Sequence, residues 1–137
     1  MRSYLYVAIG SAAGGLARFA LGGWLQRRFE AWMTHAGSPA FPVGTLLVNV
    51  TGSFILGVVV VAIARDGEGA DALRWLLAIG FCGGYTTFSA FSQDTVTLME
   101  RGASALAAAN VATSLALAFL ATVAGVAVGR LLLSARV

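Results

Sequence analysis

Three stretches of this chain run without one charged side chain for long enough to cross a lipid bilayer. Val43–Ala64 gives 22 such residues, Trp75–Gln93 gives 19 and Gly102–Gly129 gives 28. A fourth apolar run, Ser3–Leu25, carries a single charge at Arg18. A helix of 22 residues rises about 33 Å, enough for a hydrocarbon core of roughly 30 Å. Four transmembrane helices are therefore expected at about 4–25, 43–64, 72–100 and 103–133. Residues 1–137 then form one all-α, multi-pass domain of the cell membrane. The last helix is longer than a bilayer requires, which implies tilt or protrusion. The connections are a 17-residue loop holding Pro39 and Pro42, an acidic loop with Asp66, Glu68 and Asp71, and a tight turn at Arg101–Gly102. With four spans, both termini lie on one side. The first run follows Met1-Arg2-Ser3, as a cleaved leader would, but it is too long and Arg18 interrupts it, so it is read as a span.

Composition closes off other classes. Hydrophobic residues make up 58% of the chain and charged ones 11%, the opposite of a disordered segment. The net charge is only +3 and the nine cations, all Arg, are scattered, so no nucleic acid partner is expected. One Cys cannot close an intrachain disulfide, and one His, His35 in a loop, cannot build a metal site. Orientation follows the bias of basic residues between loops. Arg2, Arg65, Arg74, Arg130 and Arg136 stand on the side of the termini, against Arg27, Arg28 and Arg101. From that count, a single topology with cytoplasmic termini and a dual topology pairing inverted copies stand level. Four helices of this size do not easily enclose a pathway, so self-association is expected. Gly10 and Gly14, with Ala13 and Ala17, have the four-residue spacing that suits close helix packing, within one subunit or between two.

Polar residues inside the spans carry the functional reading. Thr45, Asn49 and Ser53 recur every four residues and share one face of the second helix. Thr and Ser can satisfy themselves by bonding back to the preceding turn. Asn49 needs a partner or a polar path. In the third span, Gly83-Gly84-Tyr85-Thr86-Thr87 sets two glycines and two threonines among weak helix formers. A break over 83–87 is expected. Irregular backbone at that depth survives only where protein buries it or it lines a cavity, and it frees carbonyl oxygens, hard ligands for a hard cation. Phe88 and Phe91 then share a face, with Ser89 and Ser92 one residue later. Phenyl edges are positive and can face an anion, although phenylalanines at this spacing in a membrane are more often turned to lipid or core. Asp94 stands near the end of the span, and the fourth span offers Asn110, Thr113 and Ser114.

The run Gly80-Phe-Cys-Gly-Gly-Tyr-Thr-Thr-Phe-Ser-Ala-Phe-Ser92, with Gly44-Thr-Leu-Leu-Val-Asn-Val-Thr-Gly-Ser-Phe-Ile-Leu-Gly57 and Gly14-Gly-Leu-Ala-Arg18-Phe, resembles the CrcB/Fluc fluoride channels. The resemblance covers all four spans in order. It implies an antiparallel, dual-topology homodimer with two fluoride pores. It also implies one central structural sodium ion, held by the backbone carbonyls of Gly83 and Thr86. Asn49, Phe88, Phe91 and Ser114 become the fluoride pathway, supported by Arg18, Thr87, Ser89 and Asp94. Three positions depart from the family pattern: Ala90 where Thr is usual, Asp94 where Glu is common, and Asn110 where Tyr often stands.

The implied activity is passive export of fluoride, which lowers its toxicity. Fluoride is small, hard and strongly hydrated, so a pore must replace its water with donors, and amide, hydroxyl and phenyl edges do so without a charge that would trap the ion. No ATPase loop or activated nucleophile is present, so no enzyme is expected. The rival from another class is a small four-helix proton-coupled multidrug antiporter, which needs a mid-membrane carboxylate. The first, second and fourth spans hold no Asp or Glu. A non-transporting assembly subunit would leave the polar stripe of the second span without a purpose.

Overall fold

The computed structural model describes residues 1–33, 39–66 and 70–134; His35, Glu68 and Arg136 lie outside them. All regular structure among the described residues is helical. Helix α1 spans Arg2–Met33 and α2 spans Val43–Asp66. Three consecutive segments, Asp71–Leu73, Arg74–Cys82 and Gly83–Tyr85, join without leaving helical backbone and together form α3. Its middle segment is wound as a π-helix, with a wider turn than its neighbours. Helix α4 is Phe88–Glu100 and α5 is Ser104–Ser134. Helices α1, α2 and α5 are each long and apolar enough to cross a membrane. The stretch expected as the third span is divided between α3 and α4.

Two boundaries differ from expectation. Helix α1 ends at Met33 rather than Leu25. The shorter limit came from bilayer thickness, but Gln26, Arg27, Arg28 and Glu30 are good helix formers that give the backbone no reason to stop. Gln26 also donates to the Glu30 carboxylate at 2.9 Å, one turn on. Between α3 and α4 the non-helical stretch is narrower than 83–87. Gly83 is helical at φ −65°, ψ −35°. Only Thr86 (φ −82°, ψ 157°) and Thr87 (φ −152°, ψ 116°) are extended. Glycine lowers helix propensity without forbidding helix. Gly84 serves close contact instead, because a Cβ there would meet the Ser11 backbone.

Lipid supplies no hydrophobic drive between helices, so contact has to come from close backbone approach and hydrogen bonds. Gly10 and Gly14 face the carbonyls of Leu76 and Phe81 with no room for a Cβ, which seats α1 directly on α3 within the subunit. Gly57 and Gly125 do the same between α2 and α5, against the carbonyls of Thr122 and Phe54. Few apolar side chains are buried; Val59, Ile63 and Ala70 form a small core with Leu73, Leu77 and Ala78. Large apolar residues such as Leu16, Phe19, Leu115 and Phe119 face outward. The α4–α5 turn is the expected one at Arg101–Gly102. Gly102 takes φ +74°, its N–H reaches the Met99 carbonyl at 2.9 Å, and the Ala103 N–H reaches Leu98 at 2.9 Å. That pair of bonds closes the helix end as a Schellman motif, which needs the left-handed residue that Gly supplies.

Candidate functional site

The site is built around Thr86 and Thr87. The Thr87 hydroxyl accepts from the Ala90 N–H at 3.1 Å and so caps the start of α4, the role that Thr plays at N-caps. Opposite it, Asn49 on α2 grips the same residue twice. Its Nδ2 donates to the Thr87 carbonyl at 3.0 Å, and its Oδ1 accepts from the Thr87 N–H at 2.7 Å. A side-chain amide thus replaces the helical partners that extended backbone forfeits. Asn49, expected on a polar face, is first of all the clamp of this irregular segment. One of its two N–H groups remains for another acceptor.

The same bonds release carbonyl oxygens. In an unbroken helix the Thr87 N–H would close onto Gly83 and the Ala90 N–H onto Thr86. Both donors are engaged elsewhere, by Asn49 and by the Thr87 hydroxyl. The Thr86 carbonyl receives Arg18 Nη1 at 3.4 Å. The contact is long, and a carbonyl has a second lone pair, so the Thr86 oxygen is not used up by Arg18. Two backbone oxygens outside the helical ladder are the donor type that a hard cation takes, so Gly83 and Thr86 fit the sodium that the family resemblance implies. A Cβ at Gly83 would meet nothing within 4 Å, so Gly83 faces outward from the subunit.

Two clefts meet at this segment, and Thr86 or Thr87 lines each. The smaller, of about 280 Å³, brings together Asn49, Ser53, Phe88, Phe91 and Ser114. The Phe88 and Phe91 rings stand 5.4 Å apart and tilted by 48°. Phe88 is 75% exposed, so one side of this cleft is open in the single subunit. Ser114 is buried and donates to Asn110 Oδ1 at 3.4 Å. The larger cleft, of about 600 Å³, is charged: Arg18, Arg27, Glu30, Asp94 and Arg101 line it together with Thr45. Thr45 donates to Asp94 Oδ2 at 2.7 Å. The four-residue stripe on α2 therefore divides its work, with Thr45 in the charged cleft and Asn49 and Ser53 in the aromatic one.

Ser89 lines neither cleft; its hydroxyl pairs with that of Thr87 at 3.1 Å. Asn110, one of the three departures from the family pattern, is buried and donates to the Thr95 hydroxyl at 2.9 Å, so it ties α5 to α4 behind Ser114. Sequence reasoning placed Arg18 at the site but missed Thr95, Gln26, Arg27 and Arg101. Gln26 donates to the Phe41 carbonyl at 3.2 Å and accepts from the Gly44 N–H at 3.0 Å, holding the start of α2. The available signal was the helix-forming run beyond Leu25, which carries Gln26 and Arg27 to the cleft.

Comparison with known proteins places the chain in a family. The family described as CrcB-like protein, Camphor Resistance (CrcB), matches residues 5–126. A protein of Rhizobium leguminosarum named fluoride-specific ion channel FluC is 44% identical over 128 residues, which cover 93% of this chain and 96% of that one. A Cereibacter sphaeroides protein of the same name is 46% identical over 93% of this chain and 94% of its own. A third, from Sorangium cellulosum, is 40% identical over 98% and 99%. A match across all helices, at this identity and over nearly the full length of each relative, means that the chain belongs to the CrcB family.

Proposed function

We propose that this protein is a fluoride-selective channel that lets fluoride leave the cytoplasm passively and so reduces its toxicity. The observation that supports it most is the smaller cleft, where an amide, two serine hydroxyls and two phenyl rings converge on an extended segment of backbone. Donors without a formal charge replace the water of a small anion and still let it go. Asn49 keeps one N–H for this task. The Ser114 hydroxyl can rotate away from its long bond to Asn110, and Phe88 and Phe91 offer their positive edges. The arginines of the larger cleft gather anions at its mouth. The pathway runs from there past Thr87 into the aromatic cleft.

The working unit is an antiparallel homodimer of dual topology with one central sodium ion. The open side of the cleft at Phe88 and the outward-facing Gly83 support this, since a second copy would complete both. Held by carbonyls of Gly83 and Thr86, the ion would neutralise the freed backbone oxygens and fix the two subunits together. Export then needs no coupled reaction, only the membrane potential. An inside-negative potential of 100 mV drives an anion outward with about 2.3 kcal/mol, roughly a fiftyfold concentration ratio. The antiporter reading finds no support: Asp94, the one carboxylate between Trp75 and Met99, accepts from Thr45 within the charged cleft. The test is efflux from liposomes holding this protein alone, loaded with potassium fluoride or potassium chloride and clamped by a potassium ionophore. Fluoride should leave while chloride stays. Equal loss of both anions, or retention of both by intact dimers, would overturn the reading.

A further inference from the structure

Helix α1 has 32 residues, about 48 Å of helix against roughly 30 Å of hydrocarbon. Its outward-facing apolar side chains Tyr4, Leu5, Ile9, Leu16, Phe19 and Leu21 occupy the first part of the rod. Centring a hydrocarbon core of roughly 30 Å on that part puts the turns after Leu21 at the level of the lipid headgroups. There the helix has two unlike sides. Gln26, Arg27 and Glu30 turn to the charged cleft. Trp24, Arg28 and Trp32 recur every four residues, share the other side and are all exposed. Trp24 is 52% and Trp32 82% exposed. The Arg28 guanidinium carbon sits 5.9 Å from the centre of the Trp24 ring, a cation–π distance. Tryptophan is the residue of the membrane–water interface, with a ring that is apolar on one side and wet on the other. The guanidinium is the cation whose planar fork matches a phosphate.

We infer that Trp24, Arg28 and Trp32 form a binding site for the headgroup phosphate of one anionic phospholipid at the emergent end of α1. Trp24, one turn deeper, holds the guanidinium level with the phosphate from the glycerol side, and Trp32, one turn farther out, flanks it from the water side. The occupant is anionic rather than zwitterionic by charge complementarity, since a choline headgroup brings its own cation to the phosphate. The site lies outside both clefts, so it stands whether or not the fluoride reading holds.

Native mass spectrometry of the full chain, released from micelles doped with equal phosphatidylglycerol and phosphatidylcholine, tests this. The wild-type protein should retain phosphatidylglycerol in preference. Arg28→Gln should weaken that retention about fivefold, the weight of one basic residue at an anionic surface. Arg28→Lys should fall between, and Trp24→Leu with Trp32→Leu should lower retention as well. Arg65→Gln, which removes an exposed cation at the end of α2, should leave it unchanged and so separates a site from general attraction. Masses in the same spectra report whether each variant keeps its assembly. The inference fails if wild-type protein shows no preference, if Arg28→Gln and Arg65→Gln behave alike, or if the tryptophan variants lose their assembly while keeping the lipid preference. That last result would mean that a second copy covers this face.

Discussion

At the scale of single residues, Asn49 is the side chain on which most depends, because one amide closes two backbone bonds of Thr87. Asn49→Ala leaves that carbonyl and N–H without their side-chain partner, which costs ~1–3 kcal/mol where water does not replace it. Asn49→Asp keeps the acceptor, loses the donor and adds a negative charge beside an anion path. Both also remove the spare Asn49 N–H from the anion path; a lost donor of the same ~1–3 kcal/mol in the barrier should slow fluoride efflux roughly ten- to hundredfold, since about 1.4 kcal/mol is a factor of ten. Asn49 alone cannot separate support from contact with the ion. Phe88→Ile and Phe91→Ile can, since they keep apolar bulk, touch no backbone bond of Thr87 and remove only the ring edge. Efflux from liposomes should fall in both while gel filtration shows an unchanged dimer. Wild-type flux in both would place the anion elsewhere.

At the scale of elements, the two glycine contacts and the cap at Thr87 set where helices lie. Gly14→Val would drive a side chain into the Phe81 carbonyl, and the backbone cannot rotate out of the way as a side chain could. Overpacking of that kind costs roughly 1–3 kcal/mol, so the variant should melt earlier in a thermal unfolding scan, whereas Gly15→Ala, where nothing lies within 4 Å, should not. The cap is testable by chemistry alone. Thr87→Val is nearly the same shape but cannot accept from the Ala90 N–H, and it should lose about 1 kcal/mol of stability. Thr87→Ser should retain the stability. A Val variant as stable as the wild type would mean that Asn49 alone holds the interruption.

At the scale of the whole molecule, Gly83 separates subunit from assembly. It is helical and a Cβ there meets nothing within the subunit. Gly83→Val should therefore leave the subunit folded by circular dichroism but move the population from dimer towards monomer. If a second copy does not approach Gly83, its dimer fraction will match that of the wild type. Removal of sodium and other alkali cations should shift the same equilibrium, because the Gly83 and Thr86 oxygens would repel one another without an ion. Lysines added to one terminus should bias insertion to one orientation and lower flux, since inverted mates become scarce. Accessibility of a terminal tag on both membrane faces is the matching measurement.

What the sequence determined alone is local in origin. The long apolar runs that let α1, α2 and α5 span a membrane, charge-free in α2 and α5 and broken only by Arg18 in α1, are a property of composition, legible without neighbours. The α4–α5 turn was legible too, because Gly102 is the residue that takes a left-handed φ at no steric cost. So was the stripe Thr45, Asn49 and Ser53, which follows from helical periodicity. The place and extent of the interruption were not. Glycines pointed to 83–87, yet Gly83 and Gly84 stay helical and the chain extends at Thr86 and Thr87 instead. A weak helix former merely lowers the cost of leaving the helix. Whether the backbone does leave is decided by who receives its hydrogen bonds, and here that partner is Asn49, 38 residues away. Thr45 and Asp94, 49 residues apart, and Asn110 and Thr95 are joined in the same way. In a membrane, where water cannot stand in, such distant polar pairings settle the shape of the site, and only the packed helices bring them within reach.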